Sequence, residues 1–160
     1  MCRQFRRPCV RCVMKTLLVV GTLLLALTGS ASSADTGDLD RNKALVKQFF
    51  AAVEGRDKAT VERIVREDYI QHMPGIPTGR AAILHYIDMV APKGLGKMPQ
   101  FARVIAEGDL VMVHFRRDDP NGPVATMEIF RIKDGQIAEH WAVTEPIPPA
   151  DKARNSNGMI

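Results

Sequence analysis

The sequence predicts an α+β domain. Its first half carries apolar residues at helical spacing, its second half alternates, and the alternating runs are joined by short turn signals such as Asp134-Gly135. Helices followed by an antiparallel meander are expected to pack together on one face of a curved sheet.

In the first helix Leu45, Phe49, Ala52 and Val53 fall at i, i+4, i+7 and i+8, with Asp38 and Asp40 favourable near its start and Gly55 as its stop. Asp57 is placed to cap a second helix with a Val61, Ile64, Val65 face, and Thr78 to cap a third carrying Ile83, Leu84, Ile87 and Val90. Residues 69–77 are rich in Pro and Gly and read as a turn-forming segment, and residues 92–99 as a loop. Strands are predicted over 101–106, 110–116, 124–133 and 136–144. Glu107-Gly108-Asp109, Asp119-Pro120-Asn121-Gly122-Pro123 and Asp134-Gly135 separate them. The domain is expected to span residues 35–146, with 147–160 as a flexible, proline-containing tail.

Charge separates the chain into two parts. Of 160 residues, 22 are Lys or Arg and 18 are Asp or Glu, a formal net charge of +4. Arg3, Arg6, Arg7, Arg11 and Lys15 lie within the first 34 residues, which hold no acid, so the rest has 17 basic against 18 acidic side chains. Cys2, Cys9 and Cys12, all the cysteines present, lie there too. Lys15, the apolar residues 17–27 and the small residues 29–34 have the order of a secretory signal peptide, with Met14 as the expected start of translation. The apolar run is shorter than the ~20 residues that span a bilayer. The expectation is therefore a periplasmic or secreted protein, without a stable membrane anchor after cleavage, whose cysteine-free mature domain has no disulfide and no thiolate-bound metal. Near-neutral charge and the lack of a basic, aromatic-interleaved stripe speak against nucleic acid as a partner. With no Gly-rich phosphate loop, nucleophile elbow or HExxH pair, neither a metal nor a cofactor is predicted.

A two-residue Asp134-Gly135 turn pairs Lys133 with Gln136, Ile132 with Ile137, Phe130 with Glu139 and Glu128 with Trp141. That register puts Thr126, Glu128, Phe130, Ile132, Ile137, Glu139, Trp141 and Val143 on one face, expected to be the helix-covered one. Met127, Ile129, Arg131, Ala138, His140 and Ala142 fall on the other, and a bulge would exchange the assignment. Glu128 then lies in mid-strand among apolar neighbours, where a carboxylate is costly and suits a general base or a ligand-binding group. The alternative is a structural pair with Arg116 or Arg131. His72, in irregular backbone, and His114, on the strand face of Leu110, Met112 and Arg116, are candidate donors to a carbonyl or enolate oxygen; each is equally compatible with a core imidazole. His85 and His140 rank below them, His140 because alternation sets it opposite Trp141.

Three blocks carry a resemblance: Tyr69-Ile70-Gln71-His72-Met73-Pro74-Gly75 with Thr78-Gly79-Arg80; residues 106–114, ending in Val113-His114; and residues 128–141, from Glu128-Ile129-Phe130-Arg131 to His140-Trp141. Together they resemble the SnoaL-like polyketide cyclase family of the NTF2-like superfamily, in particular its aldol-condensation branch. The resemblance implies a cone-shaped α+β barrel, three N-terminal helices closing a strongly bent, mainly antiparallel sheet over an apolar pocket, often as a homodimer. It further implies that the acidic residue before Ile-Phe-Arg, here Glu128, is the base of a reaction needing no cofactor, and that His114 and His72 occupy pocket positions. The chain departs from that branch in having Glu128 for Asp, Met73 for Asn and Ala142 for Asp. The function so implied is proton abstraction by Glu128 next to a carbonyl, with His114 and His72 stabilising the enolate. Tyr69, Trp141, Phe130 and Met112 would line the pocket, and the partner would be a small apolar or carbonyl-containing molecule. The competing readings are a binding protein using the same pocket and a structural dimerisation module.

Overall fold

The computed structural model describes residues 33–90 and 99–160. The expected leader up to residue 32 and nearly all of the expected loop 92–99 lie outside the described residues.

Three helices are present, α1 (Ser33–Glu54), α2 (Lys58–Ile64) and α3 (Arg80–Val90), and the first strand intervenes between α2 and α3. Asp57 caps α2 as its position predicts, its Oδ1 accepting the Thr60 amide at 3.0 Å. Thr78 does not cap α3. Its hydroxyl instead donates to the Tyr69 carbonyl at 3.0 Å and accepts the Gln71 amide at 3.2 Å, tying the start of α3 back to the preceding strand.

The sheet consists of β1 (Val65–Gln71), β2 (Phe101–Glu107), β3 (Leu110–Asp119), β4 (Gly122–Lys133) and β5 (Gln136–Pro146) in the order β1-β5-β4-β3-β2. β2 to β5 form the expected antiparallel meander, and the β4–β5 turn has positive φ at both Asp134 (53°) and Gly135 (73°), the primed turn that matches strand twist. β1 corrects the sequence reading, since residues 69–71 are strand rather than turn. This strand lies parallel to β5, a pairing between segments about 70 residues apart that leaves no hairpin signal between them. The turn proper begins at His72 and returns to α3 through Gly79, whose φ of 93° suits glycine.

The helices cover the face presented by Val111, Val113 and Phe115 of β3 and by Phe130 of β4. Phe50 of α1 makes edge-on contacts with Phe101, Phe115 and Phe130 at centroid distances of 5.0, 5.6 and 5.8 Å. Val46, Val61, Ile64, Ile83 and Ile87 of the helices belong to the same core.

One irregularity fixes the facing of β5. Ile132 pairs with Ile137, but Arg131 pairs with Glu139, Phe130 with His140, Ile129 with Trp141 and Glu128 with Ala142. Ala138 is the extra residue of a bulge, and from Glu139 onward every side chain lies on the opposite face from that of an unbroken ladder. Glu139, Trp141 and Val143 thus leave the helix-covered face and His140 and Ala142 join it, correcting the register given above. Glu128, Phe130, Ile132 and Ile137 stay as expected. In the tail, the Ile147 amide bonds to the Pro123 carbonyl at 2.9 Å, and Met159 lies against the uncovered face of the sheet.

Phe130, fully buried at the centre of the aromatic cluster, sets the scale of the core. Phe130→Ala is expected to lower the unfolding free energy by about 3–5 kcal/mol, against about 1 kcal/mol for loss of the Asp57 cap in Asp57→Ala, both read by urea denaturation.

Candidate functional site

On the helix-covered face, β4 and β5 bring two ionisable side chains together. Glu128 and His140 are diagonal neighbours across the ladder, and His140 Nε2 lies 3.1 Å from Glu128 Oε2. Their side chains are only 12% and 10% exposed. His140 stacks on Phe130 with a centroid distance of 4.7 Å, so the ring is held in position by the core itself.

β1 extends this contact. Gln71 pairs with His140, and its Oε1 lies 3.1 Å from His140 Nδ1 while accepting the Met73 amide at 3.0 Å. The amide nitrogen of Gln71 donates to the Tyr69 hydroxyl at 3.2 Å. Tyr69 is buried, and that burial, reinforced by the charge of Glu128, pushes its phenol well above the ordinary tyrosine range. The result is a hydrogen-bonded row, Glu128–His140–Gln71–Tyr69, running from β4 to β1. Glu128 Oε1 has no partner among the described residues, and since no unpartnered side-chain oxygen there is fully enclosed, this oxygen retains some contact with solvent.

The other sequence candidates lie elsewhere. His72 stacks flat on Trp141 on the uncovered face, centroids 4.3 Å apart and planes 6° apart, with its Nε2 3.0 Å from Glu139 Oε2. Arg131 ties this group together, pairing with Glu139 at 2.9 Å and with Asp109 at 2.6 Å and lying 5.7 Å from the Trp141 ring centre. His114, buried on the same face, receives a hydrogen bond from Arg103 at its Nδ1, 3.0 Å away. Met112 pairs with Ile129 on that face too. Of the seven residues proposed from sequence, Glu128, Phe130 and Tyr69 come together, whereas His72, His114, Trp141 and Met112 are separated from them by the sheet. The expected convergence of His72 and His114 on Glu128 is therefore corrected: the bulge brings His140 there instead.

His140 ranks below His72 and His114 on the sequence, and Gln71 is not singled out there as a site residue. The adjacent apolar pair Ile137-Ala138, both buried, was the available sign that the alternation breaks before His140. Gln71 carried no sign, because its strand was unrecognised.

Two cavities are delimited by described residues. One of about 580 Å³ lies along Arg66, Glu67, Asp68, Arg80 and Gln136. The other, of about 220 Å³, lies between His114, Met127, Val143, Glu145 and Met159 on the uncovered face. Neither is lined by Glu128 or His140. Among the described residues no three His, Cys, Asp or Glu side chains gather to hold a metal ion.

Three helices on a curved five-stranded sheet give an NTF2-like fold, here with a Glu–His dyad on the covered face. Residues 46–140 match the SnoaL-like domain family, and the chain belongs to it. IdmH of Streptomyces antibioticus, described as a candidate polyketide cyclase, is similar in structure at 16% identity and a TM-score of 0.54, over 65% of this chain and 91% of that one. A candidate polyketide cyclase from Sinorhizobium meliloti shares 24% identity, with a TM-score of 0.54 over 62% of this chain and 94% of its own. An epoxide hydrolase of LEH-like type from M. tuberculosis gives 16% and 0.54, over 68% and 85%. No curated protein matches the chain.

The buried phenol gives a prediction with a definite sign. Folding holds Tyr69 neutral beyond its ordinary titration, so its contribution is fully present below about pH 10 and is lost as the unfolded chain ionises above it. The stability of Tyr69→Phe, followed by denaturant unfolding from about pH 8 to 11, should fall less steeply than that of the wild type. Parallel curves would show that the phenol is not held neutral.

Proposed function

We propose that this chain is an exported SnoaL-like enzyme, working without a cofactor, that removes a proton next to a carbonyl and so promotes an aldol-type closure or an isomerisation. The observation that carries this reading is the Glu128–His140 pair. Taking two ionisable groups out of water costs several kcal/mol per ion, and an apolar pair of similar volume would pack the covered face at least as well. Its presence on a face otherwise built mainly of Phe, Val and Ile supports a chemical role.

The roles follow from which atoms remain free. Glu128 Oε1, which has no partner among the described residues, takes the α-proton, while Oε2 is held by His140. The Tyr69 oxygen accepts from Gln71, which leaves its own O–H to donate to a developing enolate oxygen. His140 takes the partner role that the sequence assigned to His114 and His72. The substrate is a small carbonyl compound with apolar bulk, and the homodimer and periplasmic or secreted location remain part of the proposal. A second reading, a binding protein without turnover, is favoured by one observation: neither cavity described above reaches Glu128.

Exchange of α-hydrogens in D2O tests the first reading on a panel of ketones and β-ketoesters followed by proton NMR. The wild type should accelerate exchange of at least one probe and Glu128→Gln should lose about 10²–10⁴-fold. Exchange undiminished in Glu128→Gln would remove Glu128 as base, and probes bound equally by both proteins without exchange would favour the binding protein. In the same assay His140→Asn should be impaired, whereas His114→Asn, changed on the far side of the sheet, should retain the wild-type rate.

A further inference from the structure

We infer that Gln71 fixes the tautomer of His140 and thereby lodges a second, mobile proton in the Glu128–His140 dyad. The argument begins with the Met73 backbone amide, which can only donate. Because it points at Gln71 at 3.0 Å, the side-chain atom facing it is the amide oxygen. The Gln71 nitrogen, at the other end, donates to the Tyr69 hydroxyl, which agrees with that orientation. The same Gln71 oxygen lies 3.1 Å from His140 Nδ1, and two acceptors cannot bond, so Nδ1 carries a hydrogen.

That leaves His140 Nε2 facing Glu128 Oε2 at 3.1 Å, where a hydrogen bond needs one more proton, on the imidazole or on the carboxyl. A histidine free to choose would present Nε2–H to the carboxylate and leave Nδ1 bare, and the dyad would then hold one proton. With Gln71 in place it holds two. This changes what the dyad does. Glu128 Oε1 takes the proton from carbon as the C–H electron pair becomes the enolate, and the stored proton leaves from the Nε2–Oε2 side toward the enolate oxygen. One proton enters, one leaves, and the charge of the dyad is the same before and after. Gln71 touches no reacting atom in this scheme; it is a positioning residue acting through His140.

The catalytic use of the stored proton rests on the function proposed above, but the tautomer does not, and the test separates them. In the full chain labelled with ¹⁵N-histidine, long-range ¹H–¹⁵N correlation reports which ring nitrogen of His140 is protonated. The wild type should show a protonated Nδ1. Gln71→Leu, which removes the acceptor, should shift His140 to the Nε2–H form, and Gln71→Glu, which keeps an acceptor oxygen at that place, should restore the protonated Nδ1. Gln71→Leu should also slow ketone α-exchange at saturating probe while leaving KM unchanged. A bare Nδ1 in the wild type, or one still protonated in a folded Gln71→Leu, overturns the inference. The expected tautomer switch without exchange by any protein supports the inference and counts against the proposed function alone.

Discussion

A single extra residue in β5 decides which half of that strand meets the helices. In an unbroken ladder below the Asp134-Gly135 turn, Trp141 would stand beside Glu128 and His140 would face away. Ala138 interrupts the count between Ile137 and Glu139, and the rest of the strand turns over. Both Ile137 and Ala138 are buried, so the bulge is held by the core on either side of it. Everything that distinguishes the covered face depends on this. His140 reaches Glu128, lies over Phe130, and comes within reach of Gln71 on the neighbouring strand.

The two faces of the sheet use charge differently. The uncovered face carries an open network in which Arg131 joins Asp109 and Glu139, and His72 bridges Glu139 to Trp141. Those groups are partly exposed, water screens them, and each pair is worth little to stability. Among the described residues the covered face has one buried pair, where a missing partner is expensive: a lone buried charge costs about 3–5 kcal/mol. Glu128 and His140 are thus tied to each other far more strictly than any pair outside, and the row through Gln71 to Tyr69 extends that constraint to β1.

What was legible in the sequence follows the range of the interactions. The α+β class, the three helices, the Asp57 cap and the Asp134-Gly135 hairpin are local, and each left its mark in spacing or turn chemistry. Glu128 was legible because the count from the turn to its position on β4 does not cross the bulge. Two features were hidden. β1 is made by a parallel pairing with β5 over a long separation, and the Pro74-Gly75 break just beyond Gln71 made the strand look like part of the turn. The bulge inverted the faces of Glu139, His140 and Trp141, which moved the aromatic side chain out and the imidazole in. His72 and His114 have the residue type that enolate chemistry needs, but residue type carries no information about which side of a sheet a side chain occupies.

Trp141 is the only tryptophan in the chain, so its indole resonances identify it without ambiguity. Nuclear Overhauser contacts from those indole protons report directly on the facing of β5 after the bulge. The structure predicts cross-peaks to the ring protons of His72, 4.3 Å away between centroids, and none to the Glu128 side chain. Cross-peaks from the indole to Glu128 would mean that the ladder is unbroken, and would remove His140 from the dyad.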